Sequence, residues 1–347
     1  MRVVCFSERL RAPYDEGIKS FAAHLIRALA AEHDVLALTT DGADDAEYGI
    51  KDVDANRLLL SVPLGRRMRR FRPQATAYVP TACSTVFSFL RARTLRWYSR
   101  GAPTALITLQ PRPHTAVGKR LVGRLAPNWV LAQSTRTAQL LSSLGCRTAV
   151  LPPAVDAQRF RPASTAEKEA LRQKYQVPAT ATVVTHVGHL KQKRNLSQFV
   201  ALQAAEGYHT VVVGSSSTEQ DVTLKQKLRR AGATVIDTYV ANIDDIYRLS
   251  DVYLFLAEGD TAAIELPLSI LEAMACNLPI ICTPFGGLTD HFRQGDGLFY
   301  WDGHTAIRDM AERAVSTPCA TRALVESRTW SALARFLLRR FQENEGA

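Results

Sequence analysis

Arg2-Val-Val-Cys-Phe6, Gly17-Ile-Lys-Ser-Phe-Ala-Ala-His-Leu-Ile-Arg-Ala-Leu-Ala-Ala31 and Asp34-Val-Leu-Ala-Leu-Thr39 open the chain. The outer two are short apolar runs, and between them Ile18, Phe21, Leu25, Ile26 and Leu29 recur at helical spacing. Strand, amphipathic helix, strand is the unit from which parallel sheets covered on both faces are built. Further strand candidates at 57–62, 105–109, 129–132 and 148–151 predict one sheet. Pro152, Pro153, Arg161 and Pro162 then bracket a stretch without periodicity, and since proline cannot sit in a helix interior the interdomain linker is placed there. A second series at 182–187, 210–213, 234–236, 252–256 and 279–282 predicts a second sheet. Trp330, Leu333, Leu337 and Phe341 mark a closing helix over 329–343 with Thr329 as its N-cap. The expected class is α/β, with domains at 1–152 and 153–325, and the default ligand site is a cleft between them.

Composition agrees. The chain has 347 residues, 46% apolar and 22% charged, which excludes collagen-like, coiled-coil and wholly disordered classes and suits two domains. With 43 Lys and Arg against 33 Asp and Glu, the net charge of +10 points to an anionic partner: nucleic acid, acidic lipid or a phosphorylated ligand. The six cysteines, Cys5, Cys83, Cys146, Cys276, Cys282 and Cys319, form no C-x-x-C pair. Zinc and disulfide frameworks are therefore not expected, and a reducing cytoplasm is the simpler setting. The amino-terminal apolar stretch is four residues long, too short for a secretory signal, and no run reaches the ~18 residues of a membrane-spanning helix. The expectation is a soluble protein, or one lying on a membrane.

Three stretches can carry chemistry. In the first, Ala263-Ile-Glu-Leu-Pro-Leu-Ser-Ile-Leu-Glu-Ala-Met-Ala-Cys276, Pro267 fits the first turn of a helix because its missing N–H would be unpaired there anyway. The free amides that follow Pro267, those of Leu268, Ser269 and Ile270, then form an anion site suited to a diphosphate. Glu265 lies just before this helix and Glu272 inside it. Glu272 can accept from a ribose diol and Glu265 can touch a hexose hydroxyl, although both also read as ordinary helix carboxylates. In the second stretch, Thr182-Val-Val-Thr-His-Val-Gly-His-Leu-Lys-Gln-Lys-Arg-Asn195, a buried strand delivers Gly188 and then the cations His189, Lys191, Lys193 and Arg194. Glycine lets a phosphate approach the backbone, and fixed cations stabilise the charge that develops on a leaving nucleoside diphosphate. Taken alone, such a run is also what a solvated turn looks like. The third, Asp15-Glu-Gly17-Ile-Lys19-Ser20, places Gly17 at a helix entry, where the segment with Lys19 can border an acceptor or donor phosphate but reads equally as an ordinary helix start. It lacks G-x-G-x-x-G, so a dinucleotide reading is not supported.

Together these stretches resemble glycosyltransferase family 4, retaining enzymes with the GT-B fold of two Rossmann-like domains whose parallel sheets face a central cleft. Pro152-Pro-Ala-Val-Asp156 and Arg159-Phe-Arg-Pro162 are similar to the family's linker entry. Val187-Gly-His-Leu190 with Lys193 and Arg194 resembles its diphosphate loop, and 266–279 resembles its donor-site helix. Trp330 stands where the family's last helix carries a tryptophan, which implies that 326–347 crosses back to complete the first domain. The family's two glutamates have seven residues between them; Glu265 and Glu272 have six, and Ile264 occupies the expected place. His189 stands for the usual arginine, which shifts the load to Arg194 and Lys193, and histidine is charged only in acid. Gln110 replaces a first-domain histidine, with His114 as a stand-in for sugar or acceptor contact. The resemblance implies transfer of a sugar, hexosyltransferase-like, from a nucleotide-diphosphate sugar to a glycan, lipid-linked or small-molecule acceptor hydroxyl. It implies no cofactor and no metal, with Glu265, Arg194 and Lys193 as catalytic residues.

Gly65-Arg-Arg-Met-Arg-Arg-Phe-Arg-Pro73 adds a basic segment. Arg66, Arg67, Arg69 and Arg70 can meet anionic headgroups while Met68 and Phe71 insert, which would make the protein peripheral on the inner face of the membrane. Nucleic acid is disfavoured, because no recognition fold or stacking aromatics accompany the arginines. Phe87, Phe89, Leu90, Leu95 and Trp97 within 84–98, interleaved with Arg91, Arg93 and Arg96, give a second membrane cue, although the stretch also reads as a buried helix. The rival functions are a GT-B phosphorylase or epimerase, and a non-catalytic sugar-nucleotide or nucleic-acid binding protein.

Overall fold

The computed structural model describes residues 1–81, 84–259 and 261–343. Cys83, Asp260 of the loop 258–261 and the end of 326–347 lie outside the described residues. The chain forms two compact units. The first comprises Met1–Pro152, Ile264–Leu266 and the chain from Trp330 onward; the second comprises Pro153–Ala263 and Pro267–Thr329.

The first unit holds strands β1 (Arg2–Phe6), β2 (Asp34–Thr39), β3 (Ile50–Asp52), β4 (Ala75–Tyr78), β5 (Thr104–Thr108), β6 (Trp129–Ala132) and β7 (Thr148–Val150). All pair in parallel, in the order β3-β2-β1-β4-β5-β6-β7. Helices α1 (Gly17–Ala30), α2 (Val62–Phe71), α3 (Val86–Tyr98), α4 (Ala116–Leu125) and α5 (Thr135–Ser143) connect them, and α13 (Trp330–Gln342) packs on α1. The α1–α13 contact has a chemical core: the Trp330 ring meets Phe21 edge-on at 5.3 Å and stacks on His24 at 5.0 Å.

The second unit holds β8 (Thr182–Gly188), β9 (Tyr208–Gly214), β10 (Thr234–Ile236), β11 (Val252–Phe255), β12 (Ile280–Cys282) and β13 (Leu298–Tyr300), parallel in the order β10-β9-β8-β11-β12-β13. Its helices are α6 (Thr165–Lys174), α7 (Ser197–Gln203), α8 (Val222–Arg230), α9 (Ile243–Leu249), α10 (Leu268–Ala275), α11 (Leu288–His291) and α12 (Ile307–Ser316). In both sheets the winding direction reverses next to the first strand of the unit, between β1 and β4 and between β8 and β11. In open parallel sheets such a reversal opens a crevice at the strands' carboxyl ends. No helix among the described residues is long and apolar enough to cross a membrane, and the described cysteines are free thiols.

The two parallel Rossmann-like sheets expected from the sequence are present, with four corrections. The run 57–62 is not a strand. The Asn56 side chain accepts from the amides of Leu58 and Leu60, Leu59 takes a left-handed φ of 61°, and Ser61 then caps α2, so the leucines turn instead of extending. Strands β3, β4 and β13 are not marked in the sequence: they read Ile-Lys-Asp, Ala-Thr-Ala-Tyr and Leu-Phe-Tyr, without the run of β-branched apolar residues that signals a buried strand. Pro267 is the N-cap of α10 and not its first helical residue. Finally, Met68 is fully buried against the first unit's core and Phe71 packs against the same cluster, so neither residue of the basic segment is available to lipid.

Glycines set the closest helix contacts of the first unit. A Cβ at Gly123 of α4 would lie 1.9 Å from the Leu144 carbonyl oxygen, a backbone atom that cannot rotate away. Gly123→Ala is expected to cost roughly 3 kcal/mol as overpacking. Urea denaturation checks this, and an unchanged midpoint would refute the close approach.

Candidate functional site

The second unit concentrates the expected residues at its winding reversal. Strand β8 ends at Gly188, whose φ of +155° is a conformation glycine adopts freely. The chain then turns through a short 3-10 segment, Gln192–Arg194, closed by Asn195 in a left-handed conformation. This returns Arg194 to the end of β8: its guanidinium carbon lies 3.9 Å from where a Cβ on Gly188 would stand, and 4.8 Å from the centre of the Phe255 ring of β11. Arg194 is only 5% exposed, it belongs to no ion pair among the described residues, and its Nη1 has no hydrogen-bond partner. Burial pulls its pKa down to about 10, so the side chain is still a cation at neutral pH.

His186 stands beside it in β8, fully buried. Its Nδ1 meets the Leu254 carbonyl at 3.1 Å, while Nε2 has no partner and lies 3.1 Å from the same Cβ position on Gly188. Burial, with the Arg194 charge second, pushes this imidazole down to about 3, leaving a neutral ring next to the cation. Lys193 takes another course: it is exposed, and its Nζ donates to the Thr261 hydroxyl at 3.3 Å. His189 is half-buried at the same turn.

Tyr253 of β11 ties this turn to the first turn of α10. Its buried hydroxyl donates to the Val187 carbonyl at 3.1 Å and shares a side-chain hydrogen bond with Ser269. The end of β8, Arg194 and the start of α10 with Pro267, Leu268 and Ser269 are thus brought together within one unit. One turn further along α10, the Tyr247 hydroxyl donates to Glu272 Oε2 at 2.7 Å, and burial raises the Glu272 carboxyl. Sequence reasoning missed His186, Tyr247 and Tyr253, which read as strand and helix core; only their polar ends in otherwise apolar runs signalled them.

Glu265 lies elsewhere. Within the first unit its Oε1 accepts from the hydroxyls of Ser134 and Thr137 at 2.7 and 2.6 Å, at the amino end of α5. Its amide donates to the Leu109 carbonyl at 2.8 Å, and the Leu266 amide donates to Gln133 Oε1 at 3.1 Å. Burial raises this carboxyl too, and Oε2 is buried without a partner. Ile264 packs over Gly17 at the start of α1, with its Cδ1 3.3 Å from a Cβ built there. Lys19 spends its ammonium on the carbonyls of Arg11 and Pro13, Gln110 accepts the Ser84 amide through its backbone oxygen, and His114 meets Phe89 edge-on with its pKa lowered by burial. At this unit's own winding reversal sits a group the sequence did not mark: Glu8 takes Arg91 at 2.6 Å, the Tyr78 hydroxyl and the Thr81 amide at 3.1 Å. Arg66, Arg67, Arg69 and Arg70 are exposed along α2.

Residues 181–317 match the family model described as Glycosyl transferases group 1. The chain is 26% identical over 219 residues to D-inositol 3-phosphate glycosyltransferase of Acidothermus cellulolyticus, a match covering 55% of this chain and 47% of that protein. It is 28% identical over 153 residues to mannosylfructose-phosphate synthase of Agrobacterium fabrum, covering 40% and 33%. The matches thus span about half or less of these relatives' length. Among solved structures, Alr3699/HepE of Anabaena in complex with UDP superposes with a TM-score of 0.78 at 15% identity, covering 99% of this chain and 100% of that one. Sucrose-phosphate synthase of Thermosynechococcus elongatus gives 0.74 at 15%, covering 100% and 99%. These likenesses establish the GT-B class of two Rossmann-like parallel-sheet domains.

The depressed His186 pKa has a thermodynamic consequence. Between about pH 6.5 and 3 the unfolded chain binds this proton and the folded one does not, so its contribution is complete above pH 6.5 and is lost as pH falls. Going from pH 7 to pH 5 should remove up to about 2 kcal/mol through this group. Chemical denaturation of His186→Asn at both pH values should show a shallower loss than wild type; an equal loss would count against the buried neutral ring.

Proposed function

We propose that the protein is a retaining glycosyltransferase that takes its sugar from a nucleotide-diphosphate donor. The observation that carries this reading is Arg194, a buried cation without a counter-charge at the winding reversal of the second unit. Leaving a cation unpaired in a low-dielectric site is costly, and an anion bound there offsets the cost. Gly188 leaves room for phosphate oxygens against the backbone, and the Leu268 and Ser269 amides at the start of α10 would add donors to the same anion. The family-model match supports the reading, since it falls on the segment that builds these features.

In the reaction, the bond from the anomeric carbon to the donor phosphate oxygen breaks and the bond to the acceptor oxygen forms on the same face. The acceptor proton passes to the departing phosphate. Negative charge therefore grows on the diphosphate, and Arg194 with the α10 amides would stabilise it more in the transition state than in the bound donor. Neither a metal nor a covalent nucleophile is needed for this step. Glu272, held through Oε2 by Tyr247, offers its other oxygen to the ribose hydroxyls. Acceptor recognition falls to the first unit, where β1, β4 and β5 end near Glu8, Gln110 and His114, and the acceptor is a hydroxyl of a glycan, a lipid-linked sugar or a small polyol.

A thermal-shift screen of nucleoside diphosphates and their sugars tests the donor site, because a ligand bound only to the folded state raises Tm with occupancy. Arg194→Met should stabilise the free protein, by on the order of 1 to 3 kcal/mol, since it replaces an unpaired buried charge with a side chain of similar volume. The same variant should lose the nucleotide-induced shift and at least about a hundredfold in kcat/KM. A destabilised free variant, or one with an intact nucleotide response, would overturn the assignment.

A further inference from the structure

Between Asp54 and Asp156 the chain contains no aspartate or glutamate, but fifteen arginines and one lysine. The first unit as a whole carries 25 Lys and Arg against 14 Asp and Glu, and the second carries 18 against 19. The entire cationic excess belongs to one unit. Some of it is answered internally, since Arg91 pairs with Glu8 and Arg147 with Glu343. Arg11, Arg27, Lys51 and Arg340 also meet carboxylates of the same unit.

Charge alone does not select a partner, but the junction of α2 and α3 does. The Ser61 amide donates to the Tyr98 hydroxyl at 2.9 Å, and that hydroxyl donates to the Ser61 carbonyl at 3.0 Å, which clamps the start of α2 to the end of α3. A Cβ on Gly65 would stand 2.6 Å from the Tyr98 ring, so the helices meet without a spacer. The apolar residues flanking this clamp are turned to solvent: Leu60 is 51% exposed, Val62 64% and Trp97 62%. Arg69 lies over the Trp97 ring, 5.4 Å from its centre. Arg66 and Arg70 are exposed on α2, and Arg93 is exposed one turn before Trp97 on α3. None of these four arginines belongs to an ion pair among the described residues.

Single exposed apolar side chains are ordinary. Three of them at one helix junction, ringed by unpaired arginines, are complementary to a surface with anions outside and hydrocarbon within. We infer that the α2–α3 junction docks the protein on an anionic bilayer, with Trp97, Val62 and Leu60 entering the interfacial layer and the arginines meeting lipid phosphates. A nucleic-acid backbone would use the arginines but leave Leu60 and Val62 unexplained. This inference does not depend on the proposed transfer.

The test uses the full chain with vesicles of phosphatidylcholine alone and of phosphatidylcholine mixed equally with phosphatidylglycerol. Co-sedimentation is expected with the anionic vesicles and not with the neutral ones. Trp129, Trp301 and Trp330 are buried, so a blue shift of tryptophan emission on binding reports Trp97, and Trp97→Phe should abolish the shift while keeping the wild-type Tm. Each cation removed costs about fivefold in partitioning. Arg66→Gln, Arg70→Gln and Arg93→Gln combined should therefore weaken it about a hundredfold. The inference fails if anionic vesicles do not pellet the protein, if they pellet it without the blue shift, or if a DNA duplex competes the protein off the vesicles.

Discussion

A guanidinium held 5% exposed against the Phe255 ring, without a carboxylate, is the constraint around which the second unit is organised. Folding must strip its water and return only one aromatic face and the neighbouring Tyr253 dipole. The surrounding arrangement keeps that cost from growing. His186 is kept neutral by burial and by Arg194 itself, so a second positive charge does not form beside the first. Tyr253 joins the end of β8 to the first turn of α10 through its hydroxyl, which holds these two elements in one geometry. Stability is thus withheld at the point where a ligand can supply it.

The first unit has the same winding and the opposite electrostatics. At its reversal, between β1 and β4, Glu8 is satisfied by Arg91, Tyr78 and Thr81, which leaves a closed polar network. Glu265 is engaged through Oε1 alone, by Ser134 and Thr137 at the start of α5, where the helix dipole favours a carboxylate. Two sheets with one topology therefore present one neutralised edge and one uncompensated cation. Topology locates a crevice in each, but only the charge state of the side chains distinguishes the one that favours an anion.

The sequence was legible where periodicity is strong. β6 and β10 fall at 129–132 and 234–236 as read, and α1 and α13 differ by a residue or so at their ends. It failed where local chemistry overrides pattern: the leucines at 58–60 look extended until the Asn56 side chain is seen to fold them into a turn. At the site, Gly188, Arg194 and the helix starting near Pro267 could be read because glycine, cation runs and proline have positional meaning. Glu265 could not be placed, because a carboxylate three residues before a helix carries no mark of which hydroxyls it will meet. Nor could Tyr253 or His186, since a polar atom at the tip of an aromatic side chain looks like core until its neighbours are known. The four arginines of the basic segment were visible, but their apolar companions were misassigned: helical phase turns Met68 inward and leaves Val62, on the opposite face, outside.

The segregation of charge bears on how far each cation can act. At physiological ionic strength the screening length is about 8 Å, so the summed excess of the first unit is felt only near its own surface. It speeds encounter with an anionic partner, whereas Arg194 in the second unit is shielded from salt by burial. The two cationic features thus belong to different regimes. The exposed arginines of α2 and α3 lose strength as salt rises, whereas an ion held by Arg194 inside the second unit does so far less. Apolar contact survives salt as well, which gives Trp97 and Val62 a part that arginines alone could not fill: they turn a transient, salt-sensitive attraction into a fixed orientation on a surface.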